Sequence, residues 1–121
     1  LNLCDFALKG ADCDIHPEVN RIIQEMLKAK KPLGYICIAP ALFARSVKNA
    51  DKTAKITIGN DQATAEQIEK LGSQHKVCSV DNFIADDENK IVSTPAYMLA
   101  GSISEAASGI EKLVHKMMEW A

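Results

Sequence analysis

The sequence lacks the features that mark membrane-spanning and nucleic-acid-binding proteins. None of its apolar runs approaches the ~20 residues that a transmembrane helix needs. Neither sign of charge dominates, since 14 lysines and arginines accompany 16 acidic residues and the net charge is -2. No block of like charges and no low-complexity segment occurs. We therefore expect neither a membrane partner nor a nucleic-acid partner.

The sequence also lacks a secretory signal and a disulfide framework. Its first ten residues, LNLCDFALKG, have neither the basic start nor the long apolar region of a signal peptide. Four cysteines (Cys4, Cys13, Cys37 and Cys78) lie at irregular spacings in a 121-residue chain that is large enough to fold without crosslinks. Free thiols are therefore favoured over disulfides. These observations predict one domain in a cytoplasmic protein.

Metal ligands at a useful spacing are also scarce. Cys13-x-x-His16 is the only ligand-like pair, and no second pair follows it. A loop of aspartate, glycine and cysteine forms equally well without a metal. The sequence predicts no metal site and no cofactor.

Helical and strand periodicities alternate along the chain. Helices are predicted at 17–30, 40–47 and 64–71, and a long one begins at Ser102. Short strands are predicted at 33–39, 54–59 and 75–80, and a β-hairpin is predicted at 83–95.

This order predicts an α/β fold, specifically a three-layer sandwich with a flavodoxin-like, doubly wound, mostly parallel sheet and a β-hairpin. Only three parallel strands and the hairpin are visible, whereas such a sheet usually has about five or six strands. The fold therefore looks incomplete at its N-terminal end.

Cys37 lies at the carboxyl end of the first predicted strand, just before the helix that Pro40 begins. Open α/β sheets bind ligands beyond the carboxyl ends of their strands. The unpaired N–H groups and the dipole of the following helix would favour a thiolate there. The pattern is that of a nucleophile elbow, with the N–H of Ile38 as an oxyanion donor. The residues leave open a second interpretation, in which Cys37 fills a buried strand.

The segment PLGYICIAPA (32–41) resembles the cysteine elbow of the ThiJ/PfpI superfamily, which has the class I glutamine amidotransferase-like fold. The resemblance is greatest to the branch of enhancing lycopene biosynthesis (ElbB-type) proteins, also described as isoprenoid biosynthesis proteins. It continues in the same order through NLCDFA, ITIGND, DENKIVSTPAYMLA and EAASGIEKLV. Chains of that branch are longer. The resemblance therefore implies that residues 1–121 are the C-terminal half of one domain, whose N-terminal half is its partner.

The resemblance implies a glyoxalase III-type lyase that converts a small dicarbonyl aldehyde to a hydroxy acid without glutathione or metal, and it implies a homodimer. The residues that it places in the site are Cys37 as nucleophile, Ile38 as oxyanion donor, and Asn60, Thr94, Pro95 and Tyr97 around the substrate. Tyr97 would donate to a substrate oxygen, although a half-buried core tyrosine is the simpler interpretation. An acidic residue and a glycine-rich turn of the family site would precede Leu1.

A Cys-His-acid triad for amidotransferase or protease chemistry is not predicted. The protease-like branch has a histidine directly after the cysteine, where this sequence has Ile38, and Asn60 stands where other relatives have one. Asparagine cannot take up a proton. His16, His75 and His115 are each expected to be solvated. A non-catalytic alternative stays open, in which Cys37 senses oxidants or the protein supports isoprenoid biosynthesis by contact.

Overall fold

The computed structural model describes residues 1–50 and 53–121 and has an α/β architecture. The elements in chain order are α1 (Phe6–Lys9), α2 (Pro17–Lys28), β1 (Leu33–Ile36), α3 (Pro40–Ser46), β2 (Lys55–Ile56), α4 (Gln62–Lys70), β3 (Gln74–His75), β4 (Ile84–Asp86), β5 (Ile91–Thr94) and α5 (Ile103–Trp120). Short 3-10 helices lie at Gly10–Asp12 and Ala96–Met98. Within the described ranges, no helix combines the length and the apolar character needed to cross a membrane.

A mixed sheet with strand order β1-β5-β4 lies at the centre of the fold. Strand β1 runs parallel to β5, with Leu33 opposite Ile91 and Ile36 opposite Thr94. Strand β4 runs antiparallel to β5, which confirms the predicted hairpin. Strands β2 and β3 form a separate parallel pair.

Adjacent residues of β1 contact helices on opposite faces of the sheet, because successive side chains of a strand alternate in direction. Gly34 faces α5, and a Cβ added there would lie 2.9 Å from Leu113 Cδ2 and closer still to Met117 Sδ. Tyr35 faces the other side, where its ring centroid is 5.6 Å from that of Phe43 in α3. Helices therefore cover both faces, and the predicted three-layer arrangement is confirmed.

The main apolar core lies on the Tyr35 face of the sheet. Its large buried side chains are Ile23, Tyr35, Phe43, Ile56, Ile58, Ile68, Leu71 and Ile91. Each fully buried residue of this size contributes ~1.5–3 kcal/mol relative to an exposed position. Helices α2, α3 and α4 and strands β1, β2 and β5 are joined through this one core.

Strand β2 is shorter than the predicted 54–59 because side chains replace its backbone partners. The N–H of Lys55 donates to Asp86 Oδ2 at 2.9 Å, and the N–H of Thr57 donates to Ser93 Oγ at 2.9 Å. We call these two acceptors the side-chain seam. They connect β2 to the β4–β5 hairpin where no backbone ladder does.

Other predicted boundaries shift for local reasons. Helix α4 begins at Gln62 instead of Thr64, because the carboxylate of Asp61 caps the N–H of Thr64 at 2.9 Å. The strand predicted at 75–80 is reduced to Gln74–His75. The predicted start of α5 is confirmed, since Ser102 Oγ accepts the N–H of Glu105 at 3.3 Å.

Helix α2 ends at Lys28, two residues before the predicted end. Lys30 adopts a left-handed backbone with φ 55°, and the N–H of Lys31 closes onto the carbonyl of Met26 at 3.0 Å. This is the Schellman arrangement, which usually places glycine at the left-handed position. The short helix α1 stands where a loop was expected, and an Asp5–Lys9 ion pair of 2.9 Å spans its single turn.

Candidate functional site

Cys37 occupies a strained turn between β1 and α3. Its φ of 65° lies in the left-handed region, which costs a non-glycine residue ~1–3 kcal/mol. Its N–H donates to the carbonyl of Thr94 at 3.0 Å, and its side chain is partly exposed. Cys37 therefore does not fill a buried strand. It stands on a sharp strand-to-helix turn, as a nucleophile elbow requires.

The turn leaves one N–H group available to a ligand. The N–H groups of Ala39 and Ala41 donate to backbone carbonyls at 3.1 and 3.0 Å, and Pro40 has no N–H. In the part of the chain that the structure describes, no group accepts a hydrogen bond from the N–H of Ile38. The prediction that α3 aims several free N–H groups at Cys37 is therefore wrong. Ile38 alone retains the donor that an oxyanion needs.

An apolar cleft of about 550 Å³ opens beside the elbow. One wall is formed by Ile36, Ile38, Ala39, Ala41 and Leu42, and the other by Leu1, Asn2, Leu3, Cys4, Phe6 and Ala7. Ile38 is 41% exposed, and its side chain faces this space. The N-terminal wall was not predicted from the sequence, where the spacing of the apolar residues Leu3, Phe6 and Ala7 is its only signal.

Thr94 is buried, and its side chain packs inside the fold. Its hydroxyl donates to the carbonyl of Asn82 at 2.7 Å. Gly109 of α5 packs directly on it, since an added Cβ would lie 2.6 Å from Thr94 Oγ1. The Thr94 hydroxyl is therefore engaged inside the fold, and the role of Thr94 in a substrate pocket stays a prediction. Only its carbonyl reaches the elbow, through the N–H of Cys37.

The turns after β2 and β5 lie side by side at the sheet edge that carries Cys37. Gly59 has φ 113°, and an added Cβ would lie 3.4 Å from Pro95 Cβ and 3.1 Å from Leu99 Cδ1. Pro95 is buried, whereas Asn60 is exposed. Tyr97 is 69% exposed, so the expectation of a half-buried core tyrosine is wrong. The pocket roles of Asn60, Pro95 and Tyr97 stay predictions.

The three histidines differ in burial and in hydrogen bonding. His75 was expected to be solvated, but it is half-buried and its Nε2 accepts the N–H of Ile58 at 3.2 Å. Burial lowers the pKa of His75, and the charge of Glu69 partly opposes this shift. His16 Nδ1 accepts the N–H of Glu18 at 3.2 Å, and His115 is exposed on α5. Over residues 1–50 and 53–121, no hydrogen bond joins a histidine to Cys37.

The Cys13-x-x-His16 pair does not act as a unit, because the Nδ1 atom of His16 caps α2. Cys13 instead lies beside Cys4 and Asp5, and one ligand atom from each of the three residues lies within 4.8 Å of the others. Among the described residues, this is the only cluster of three or more metal-ligating side chains that could share one metal ion.

The sheet, the helices on both faces and the cysteine elbow define an amidotransferase-like α/β protein. A solved structure shares this fold, the isoprenoid biosynthesis protein with amidotransferase-like domain from Ehrlichia chaffeensis. Its TM-score is 0.82 at 34% sequence identity, and the match covers 88% of this chain and 49% of that chain.

Curated relatives specify the family. The ES1 protein homolog, mitochondrial, of Rattus norvegicus is 37% identical over 127 residues, which cover 98% of this chain and 46% of the relative. The glutamine amidotransferase-like class 1 domain-containing protein 3, mitochondrial, of Homo sapiens is 36% identical with the same coverage. No family model matches the sequence. The chain belongs with these ES1 and glutamine amidotransferase-like class 1 proteins, as the resemblance implied, and spans about half the length of the curated relatives it matches.

The cytoplasmic location predicted from the sequence is wrong. The rat and human relatives carry the word mitochondrial in their names, and so does the ES1 protein of Danio rerio, which is 24% identical over 109 residues. A targeting leader is a segment separate from the domain that it directs. The residues of a folded domain therefore do not report its compartment.

Proposed function

We propose that this chain supplies the nucleophile of a glutathione-independent, glyoxalase-like active site that acts on a small dicarbonyl aldehyde. The observation that carries the proposal is the elbow itself. Cys37 holds a strained left-handed backbone at the end of β1, and the adjacent Ile38 keeps an N–H without an acceptor among the described residues. Strain of this kind persists where the surrounding structure over-determines it, and it clusters at active sites.

The proposed reaction uses these two groups in its first step. The thiolate of Cys37 adds to the aldehyde carbon, and the developing alkoxide accepts a hydrogen bond from the N–H of Ile38. A base then moves the proton of that carbon to the neighbouring ketone carbon, which leaves a thioester of the hydroxy acid on the sulfur. Water hydrolyses the thioester, and the hydroxy acid and the free thiol are released. The net reaction adds one water to the dicarbonyl.

The cleft beside the elbow suits a small substrate with an apolar substituent. Its elbow wall consists of aliphatic side chains, including Ile36, Ile38 and Leu42, and it offers no cationic side chain for a phosphate or a carboxylate. His16 and His75 accept backbone N–H groups elsewhere. We therefore assign the proton-transfer base to the other part of the domain, where the resemblance places an acidic residue.

Turnover of methylglyoxal by the intact protein, without glutathione, tests the proposal. We expect loss of the dicarbonyl and formation of the hydroxy acid, and we expect Cys37→Ser to abolish both. Cys78→Ser is the matched control, because Cys78 is buried and burial raises the pKa of its thiol to about 11. Turnover that survives in Cys37→Ser would refute the proposal. Oxidation of Cys37 that alters oligomeric state without any turnover would favour the redox-sensing alternative.

A further inference from the structure

Two thiols and a carboxylate meet in the N-terminal segment, apart from the elbow. The Sγ atoms of Cys4 and Cys13 and a carboxylate oxygen of Asp5 lie within 4.8 Å of one another. Two thiolates bound at ~2.3 Å to a tetrahedral zinc ion lie ~3.8 Å apart, so the three atoms are close enough to share one ion. Neither sequence spacing nor a motif indicates this grouping.

Backbone pairing holds the three ligands in place. Cys4 and Ile15 form an antiparallel bridge, flanked by a hydrogen bond of 2.8 Å from the N–H of His16 to the carbonyl of Leu3. The Asp5 carboxylate also accepts the N–H of Asp14 at 2.7 Å. Outer-shell hydrogen bonds of this type orient a metal ligand. The other carboxylate oxygen, Oδ2, lies 2.9 Å from the exposed Lys9 ammonium group, which a metal ion would displace. The backbone around the three side chains is therefore organised before an ion arrives.

The charges around the cluster can balance a bound cation. Cys13 is 2% exposed, so this side of the cluster is shielded from water. A divalent cation would replace both thiol protons. Two thiolates, one carboxylate and a divalent cation carry a net charge of −1. Lys9 lies 2.9 Å from Asp5, and Arg45 Nε donates to the Cys13 carbonyl at 2.7 Å. These two positive side chains would offset the remaining negative charge.

We propose that Cys4, Cys13 and Asp5 bind one thiophilic divalent cation, of which Zn²⁺ is the best match. Two sulfur ligands select zinc over magnesium and calcium, which require oxygen ligands. Binding releases two thiol protons for each ion. Three protein ligands leave a fourth position for water. Cys4 is partly exposed and lines the apolar cleft, so an ion has an entry path.

The test is the binding of Zn²⁺ and of Co²⁺, its coloured substitute, by the intact reduced protein. We expect one ion per chain by native mass spectrometry and a thiolate-to-cobalt absorption band. Cys4→Ser and Cys13→Ser should both lose the ion, whereas Asp5→Asn should weaken binding and keep the band. Cys37→Ser and Cys78→Ser are the matched controls and should retain one ion per chain.

The Cys4→Ser variant decides the matter, because Cys4 is partly exposed and its replacement by serine preserves the size of the side chain. Thermal unfolding like that of the unmodified protein will show that the variant is folded. Absence of bound ion in the folded, reduced protein would overturn the proposal, as would loss of the ion in Cys37→Ser. A Cys4–Cys13 disulfide that forms in the presence of excess Zn²⁺ would overturn it as well. None of these readouts depends on turnover at Cys37.

Discussion

The N–H of Cys37 donates to the carbonyl of Thr94 at 3.0 Å, so β5 holds the residue at which β1 ends. Thr94 is itself fixed, because it is buried and its hydroxyl donates to the carbonyl of Asn82. The hydrogen bond extends the parallel β1–β5 register by one residue into the turn. The elbow is therefore positioned by the sheet and does not need a ligand to form.

The strain at Cys37 predicts an inverted order of stability between two variants. Glycine in an ordinary conformation is ~0.5–1 kcal/mol less favourable than alanine. At φ 65° the alanine Cβ carries a left-handed penalty of ~1–2 kcal/mol. We therefore expect Cys37→Gly to be more stable than Cys37→Ala by up to about 1.5 kcal/mol. Urea unfolding of both variants measures the difference, and a more stable alanine variant would show that the turn is unstrained.

The side-chain seam predicts a large loss of stability when Asp86 is truncated. Asp86 is buried and accepts the N–H of Lys55, the N–H of Asn89 and the side-chain amide of Asn89, at 2.9, 3.0 and 3.0 Å. Asp86→Ala removes the charged acceptor of three partly buried donors, and a hydrogen bond to a charged group contributes ~1.5–3 kcal/mol. We expect a loss of at least ~2 kcal/mol in the free energy of unfolding.

Asp87 provides the control for that experiment. It follows Asp86 directly, its side chain is 76% exposed, and its contact with Lys116 is 3.6 Å long. Exposed ion pairs contribute ~0–1 kcal/mol, so Asp87→Ala should change the free energy of unfolding by less than about 1 kcal/mol. Equal effects of the two substitutions would argue against the seam.

The close packing of Gly109 predicts that Gly→Ala, which usually stabilises a helix, lowers the stability of this protein. Gly→Ala in a helix interior normally stabilises by ~1 kcal/mol. In α5 the new Cβ would meet Thr94 Oγ1 at 2.6 Å and the Val80 carbonyl at a shorter distance, and overpacking costs ~1–3 kcal/mol. We expect Gly109→Ala to lower the melting temperature, and Glu111→Ala on the exposed face of α5 to change it little. A higher melting temperature for Gly109→Ala would contradict the close packing of α5 on β5.

His75 predicts a fall in stability at acidic pH. Burial holds the folded-state pKa of His75 below its usual value of 6.5, so the unfolded chain binds the proton more readily. The contribution is fully present above pH 6.5 and is lost as pH falls below it, until the folded-state pKa is reached. The free energy of unfolding, measured from neutral to mildly acidic pH, should show this slope.

Two glutamine variants isolate the contribution of His75. His75→Gln keeps an acceptor for the N–H of Ile58 and should flatten the slope, whereas His115→Gln, at an exposed position, should leave it unchanged. A slope that persists in His75→Gln would assign the titration to another group.

Local signals predicted the starts of α2 at Pro17, of α3 at Pro40 and of α5 after its cap Ser102, because a proline at the first turn or a capping serine acts within a few residues. The family resemblance and the turn after β1 likewise placed Cys37. The end of β2 was not predictable, because Thr57 bonds to Ser93, which lies 36 positions away in sequence. For the same reason the sequence did not predict that the Thr94 hydroxyl donates to the Asn82 carbonyl, or that Cys4 lies beside Cys13. Both contacts depend on how separate segments of the chain pair.

The seam has a consequence for how this fold can diverge. A ladder of main-chain hydrogen bonds survives most substitutions, since every residue except proline offers the same amide. The junction of β2 with the hairpin instead depends on the chemical identity of Asp86 and Ser93. Homologues that replace either residue must rebuild this junction by other means. The junction between the β2–β3 pair and the hairpin is thus a feature that point mutation can change.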